Sequence, residues 1–485
     1  MKKNTFKTMA VIAVFISSLI VISCDTEQFS LIPDEKIEQE NRIELRVSKE
    51  DAMRVAAMFV IDGSEEMDEN GITIRRGSAS AAANGRSVQN LSIIQNNRNE
   101  PAMFVINYAD NEGFILVSAS RAFYPVLAHS CTGSFVISDD MPGGLLIWME
   151  QIKAEMEYQK RNVTESTLSK FNALWRQFED REEENAAALA ASKNAMTANS
   201  NICLWTEMSF WINQGYTVMS LGQFGCPEFI SWAQAVHFPA FDYMTYSFVA
   251  IKEYSSVFQR GPFLTTQWWQ GVPFNLQLQL INGTNPPLGS STIAMGQIMA
   301  YHRWPAHFNW NSILIPGGHS VDTQLFLRNI ALAIGTNFSF PTPEVSINVV
   351  SSTFRNTYGY SSTISVVNHN RSSVVTQLSL SQPVYMRGEM FDIHTQRMIG
   401  HAWVCDGYRA FDSHTQYLLR VPVSWWEYAT VQSRQENHSL WYLFHMNWGW
   451  VNGMFNGWFL GENVNANNDD RDFRHNRRNI INIRR

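Results

Sequence analysis

The chain has 485 residues, enough for two or more domains that each bury a core, and with 45% hydrophobic and 17% charged residues it has the composition of a globular protein. Its net charge of -7 lacks the basic surplus of a nucleic-acid binder, so no nucleic-acid partner is expected. The five cysteines follow no metal-ligand spacing, and neither a metal nor another cofactor is expected.

Lys2, Lys3 and Lys7 form a basic start, and Met9 to Ile22 is an apolar run too short to span a bilayer, which is the pattern of an export signal over residues 1–24. Val21-Ile22-Ser23-Cys24 resembles a bacterial lipoprotein cleavage box. It makes Cys24 the expected lipidated residue and membrane anchor, with an ordinary signal peptide and an incidental cysteine as the alternative. The expected location is an exported lipoprotein at the outer membrane or cell surface, or a secreted form. Residues 25–45 read as a polar tether. Of the other cysteines, Cys203 with Cys226 is the first disulfide to test, against four buried thiols.

A small α+β domain is expected over 46–180. Ser48 and Asp51 have capping-box spacing, and Ala52, Val55, Ala56 and Phe59 continue at helical spacing. Residues 62–100, polar and rich in Gly, Ser and Asn, read as a loose loop. Met103 to Tyr108 and Phe114 to Ser118 read as a hairpin, Arg121 to His129 as a strand, and Leu145–Tyr158 and Leu168–Phe178 as helices. Residues 181–254 read as a linker followed by an aromatic-rich insert.

The second domain is expected over 255–485. Its centre is the stretch from Pro287 to Pro305, which reads as a helix with Ser290 or Ser291 as its cap, a stop at Pro305, and a buried face of Ala294, Ile298 and Tyr301. Residue 290 then lies at a helix N-terminus, where an anion is stabilised. A cysteine there would have a depressed pKa and act as a nucleophile, but this chain has serine. Further on, Gly400-His401 opens an apolar strand that ends at Asp406-Gly407, and Asn447-Trp448-Gly449-Trp450 follows. Residues 409–440 form a long connection, and the tail from Asn463 reads as loose or partly packed.

Gly289, Ala294, Gln297-Ile298-Met299, Tyr301-His302 and Trp304-Pro305 resemble the nucleophile helix of the streptopain family of papain-like cysteine peptidases, whose catalytic cysteine falls on Ser290. The resemblance extends to Gln267-Trp268-Trp269-Gln270-Gly271-Val272-Pro273-Phe274-Asn275 and to the histidine and asparagine blocks. Val47-Ser48-Lys49-Glu50-Asp51-Ala52, Asn111 to Ala119, and Tyr124-Pro125-Val126-Leu127 resemble that family's Spi-type inhibitory prodomain. The resemblance implies an α+β fold, a small α+β prodomain followed by a papain-like peptidase. Its roles fall on Gln270 as oxyanion donor, His401 as base or imidazolium partner, Asn447 as the residue orienting His401, and Trp448 as a shield for that bond. The expected partners are a protein or peptide substrate and the chain's own prodomain. With Ser290 in place, the expected product is an inactive or weakly active homologue of a secreted cysteine endopeptidase. The alternatives are a hydrolase with a serine nucleophile and a non-catalytic surface or peptide-binding protein.

Overall fold

The computed structural model describes residues 45–67, 73–80, 85–179, 185–190, 204–235, 243–315, 318–338, 345–392, 396–424, 426–461 and 477–485. The expected export signal with Cys24, the expected tether up to residue 44, and Cys203, the expected partner of Cys226, lie outside these residues.

The chain enters through α1 (Lys49–Met58). The Ser48 hydroxyl accepts from the Asp51 N–H at 3.0 Å, and the Asp51 carboxylate accepts from the Ser48 N–H at 3.2 Å, the reciprocal cap that the spacing predicts. Two antiparallel strands follow, β1 (Val60–Met67) and β2 (Thr73–Ser80), where a loose loop is expected from the sequence. Gly63-Ser64-Glu65-Glu66 and Arg75-Arg76-Gly77-Ser78 lack the apolar alternation of a half-buried strand. Backbone pairing makes this ribbon, which sequence composition encodes weakly.

Next come β3 (Val88–Gln95), β4 (Pro101–Tyr108), β5 (Phe114–Ser118) and β6 (Val126–Ser130), each paired antiparallel to the one before it. Two helices complete this part, α2 (Gly143–Asn162) and α3 (Glu165–Arg176).

The aromatic-rich insert folds into α4 (Leu204–Asn213), β7 (Thr217–Ser220) and α5 (Pro227–Ala235), and leads into β8 (Phe248–Arg260). Strand β8 crosses the boundary expected at residue 255. Its remaining partners are β7 along 248–251, β2 along 255–260, and β11 along its whole length.

The C-terminal part holds α6 (Ser290–His302), α7 (Val321–Ala333), α8 (Ile347–Asn356), β9 (Ser365–Asn368) and α9 (Arg371–Ser379), then β10 (Val384–Asp392), β11 (Arg397–Ser424), β12 (Glu427–Asn447), β13 (Gly457–Leu460) and β14 (Arg478–Ile481). The long connection 409–440 is the outer part of one hairpin, paired from Val404 with Asn447 to Ser424 with Glu427. Of the expected loose tail, residues 477–485 are packed: β14 pairs with β10 and β9, and Ile480 and Ile483 are fully buried.

Strand β6 of the N-terminal part pairs with β13 of the C-terminal part, through Trp458 with His129 and Phe459 with Ala128. A single sheet therefore runs β1-β2-β8-β11-β12-β13-β6-β5-β4-β3 among the described residues. The cores follow the same plan. One surrounds α6 with Ile293, Met295, Ile298, Leu327 and Val350. The other mixes Leu116, Phe123, Trp148 and Trp175 with Trp403, Phe444, Trp448 and Phe459. The Trp148 indole N–H donates to the Leu460 carbonyl at 3.0 Å, so this shared core also has a directed bond across it.

Candidate active site

Helix α6 is buried all round from Ser291 to Ala300, not on one face as its spacing predicts, because β11 covers one side and α7 the other. Its cap also differs from expectation. Gly289 is the N-cap residue, with no side-chain cap bond, and its φ of 85° is a conformation that favours glycine. That turn frees the Ser290 side chain from capping. The Ser290 hydroxyl instead accepts from the Ala402 N–H at 3.1 Å, directly after His401 in β11. Next to it, the Tyr385 hydroxyl donates to Ser291 Oγ at 3.0 Å. An anion at position 290 would thus meet a backbone donor and the positive end of a helix.

The Gln270 carbonyl accepts from the Leu288 N–H at 2.9 Å, which ties the expected oxyanion donor to the approach to Ser290. His401 is buried, and its Nε2 lies 2.9 Å from the Trp448 carbonyl. A carbonyl can only accept, so Nε2 carries the proton. Burial, reinforced by the Arg387 guanidinium, holds the imidazole down at about 4 despite the opposing effect of the Trp448 carbonyl. The ring is therefore neutral at physiological pH.

Asn447 does not take the expected place beside His401 in this state. Its Nδ2 donates to Gln297 Oε1 at 3.0 Å and to the Thr266 carbonyl at 2.9 Å. Its Oδ1 accepts from Gln297 Nε2 at 3.2 Å and from the Gly449 N–H at 3.2 Å. The side chain is saturated, and the Trp448 backbone serves the histidine instead. The Trp448 ring is fully buried between Trp403 and Phe459, with centroids 5.3 and 5.1 Å away.

The first turn of α2 lies on this face. A Cβ built on Gly144 would come 2.9 Å from His401 Cδ2, 2.7 Å from Trp403 Cε3 and 3.0 Å from Trp448 Cζ3. Ile147, one turn on, packs on Gly388, the β10 partner of His401. The N-terminal part therefore covers the histidine directly.

Sequence reasoning missed Gln297, Gly144 and the Trp448 carbonyl. Gln297 did leave a signal, as a lone amide within Ile293-Ala294-Met295-Gly296-Gln297-Ile298-Met299-Ala300. A polar group in so apolar a run must find partners. The described residues include no His/Cys/Asp/Glu cluster able to hold a metal ion, and no helix among them is long and apolar enough to cross a membrane. Among the described cysteines, Cys131, Cys226 and Cys405 are free thiols.

A buried helix with Ser290 at its N-terminus, set against an antiparallel sheet bearing His401, belongs to a papain-like α+β fold, here behind a small α+β prodomain. Residues 268–322 and 307–459 match the Peptidase C10 family, and residues 44–156 match the Spi protease inhibitor. The chain therefore carries a domain of the Peptidase C10, or streptopain, type behind a Spi-type prodomain. It is 25% identical over 234 residues to the thiol protease/hemagglutinin PrtT of Porphyromonas gingivalis, a match that takes in 40% of this chain and spans only 22% of that relative's length. Among solved structures, it is similar to a fragment of Prevotella intermedia prointerpain A, at 14% identity and a TM-score of 0.42, over 81% of this chain and 98% of that one. It is also similar to active wild-type interpain A from the same organism, at 14% identity and a TM-score of 0.33, over 47% and 96% of the two chains.

Proposed function

We propose that this chain is the latent precursor of an exported streptopain-type endopeptidase homologue, acting on protein or peptide substrates, whose serine at position 290 leaves it inactive or weakly active. The observation that carries this reading is the placement of Ser290 at the N-terminus of α6, bonded to Ala402 N–H beside His401, while Gly144 covers that histidine. A thiolate could be stabilised at that position by the helix end and the backbone donor. A serine hydroxyl is far too basic to ionise and needs a base during attack. His401 is the residue for that role, Gln270 the oxyanion donor and Trp448 the group that anchors His401. Export by the 1–24 segment with lipidation at Cys24 belongs to the same reading.

The test is a protease assay on protein trimmed of its prodomain, with Ser290→Cys beside the parent. Ser290→Cys should give cysteine-peptidase activity that thiol alkylation blocks and His401→Ala removes. Cleavage by the trimmed serine form, untouched by alkylation, would establish a serine nucleophile instead. A folded but inert Ser290→Cys that still binds peptides would favour a binding protein.

A further inference from the structure

We propose that Gln297 is a positioning residue for His401, acting through Asn447 and one peptide group. The C=O of Trp448 and the N–H of Gly449 belong to the same planar peptide unit, so fixing one end fixes the other. Asn447 Oδ1 holds the Gly449 N–H end at 3.2 Å, and the Trp448 C=O end accepts the His401 Nε2 proton at 2.9 Å. Gln297, fully buried, holds the Asn447 amide by two reciprocal bonds of 3.0 and 3.2 Å and also accepts from Thr266 Oγ1 at 3.0 Å. Gly449 has a φ of 64°, and a Cβ there would come 2.9 Å from Ile293 Cγ2, so the peptide is seated directly on the nucleophile helix.

The path runs from Gln297 to the Asn447 amide, to the 448–449 peptide, to His401 Nε2–H. It keeps the Nε2 proton in place and leaves Nδ1 as the basic nitrogen of the neutral ring. Thr266 lies four residues before Gln270, so the same amide pair also links α6 to the oxyanion segment. The inference deepens the peptidase reading and rests on it for its catalytic meaning, but its first readout does not.

That readout is the neutral tautomer of His401, followed by nitrogen and carbon NMR of the histidine-labelled full chain with Ser290 in place and assigned by loss of the signal in His401→Gln. The parent should show the Nε2–H form. Gln297→Met, which keeps the shape and removes the amide, should convert it to a mixture of both neutral tautomers. Should that variant fail to fold, Gln297→Glu decides. Burial raises the introduced carboxyl's pKa, so at about pH 5.5 it still has a proton to donate to Asn447 and at about pH 8.5 it has less of one. The His401 signal should be parent-like at the lower pH and mixed at the higher. A parent-like tautomer in Gln297→Met, or at every pH in Gln297→Glu, overturns the proposal. In trimmed Ser290→Cys enzyme, adding Gln297→Met should lower kcat about 10- to 100-fold with KM little changed. An inert Ser290→Cys enzyme would count against the peptidase reading while the NMR result still decides the relay.

Discussion

Ser290 receives the Ala402 N–H at a helix N-terminus, two features that favour negative charge on whatever atom stands there. A thiol, with an ordinary pKa near 8.5, is brought within reach of ionisation by such surroundings, and a hydroxyl is not. The intact chain withholds a third contribution, because His401, held down at about 4 by burial, supplies no imidazolium at neutral pH. In Ser290→Cys, the new thiol should therefore react slowly with iodoacetamide in the intact chain and about tenfold or more faster once the prodomain is cut away. Equal rates in the two forms would show that the covering of His401 does not control the nucleophile. At this scale the sequence locates some of the side chains that meet at the site and not others. Gly289-Ser290 and Gly400-His401 stand where their motifs put them. The anchor of His401 was illegible because it is a backbone carbonyl, which residue identity does not record, and the bonding of Asn447 to Gln297 was illegible because the two come from different blocks of the sequence.

Helix α2 reaches His401 only because residue 144 has no side chain. Alanine is the better helix former by about 1 kcal/mol. Against that, its Cβ would press on three rings at 2.7 to 3.0 Å, an overpacking that costs about 1–3 kcal/mol. The clash should win. Gly144→Ala should lift the first turn of α2, lower the melting temperature of the intact chain, and speed alkylation of Ser290→Cys without any proteolysis. A higher melting temperature with unchanged alkylation would show that α2 is not the cover. The element scale also shows where pattern reading stops. The Ser48–Asp51 cap and the β4–β5 hairpin were legible in their capping and alternation, and α6 was legible as a helix although neither its cap nor its all-round burial follows its spacing. The β1–β2 ribbon was not. It is defined by backbone pairing, in which Glu65 and Arg75 hold matching register positions, and such a polar segment reads as a loop.

Across the whole molecule, the two parts are joined by the β6–β13 pairing, and a titratable group lies at that join. His129 is buried opposite Trp458, and its Nε2 lies 2.5 Å from Arg409 Nη1. Arginine can only donate, so the imidazole must be neutral and accepting. Burial, then Arg409, Arg86 and His445, hold its pKa well below the ordinary range, while Asp406 pairs with His445 at 2.6 Å. A released His129 takes up a proton near pH 6.5 and a docked one does not, so the contribution is complete above that pH and declines as pH falls toward the depressed value. The docked state should weaken by up to about tenfold per pH unit across that window. Hydrogen exchange at β6 and β13 amides, corrected for the intrinsic pH effect, should show this loosening on acidification and lose it in His129→Gln. A pH-independent parent would exclude His129 as the sensitive group. No motif announces this arrangement, because it depends on a histidine and an arginine 280 positions apart. The continuous sheet has a consequence for the product of maturation as well. Taking away the N-terminal strands strips β2 from residues 255–260 of β8 and β6 from β13, leaving each strand paired on one side and open on the other, two adhesive margins of the sheet. The trimmed protein should therefore grow in mass with concentration in light scattering while the intact chain stays monodisperse, and a trimmed form that stays monodisperse would show those margins to be closed by rearrangement. Maturation would on this account create a molecule that seeks company as well as one with an open cleft.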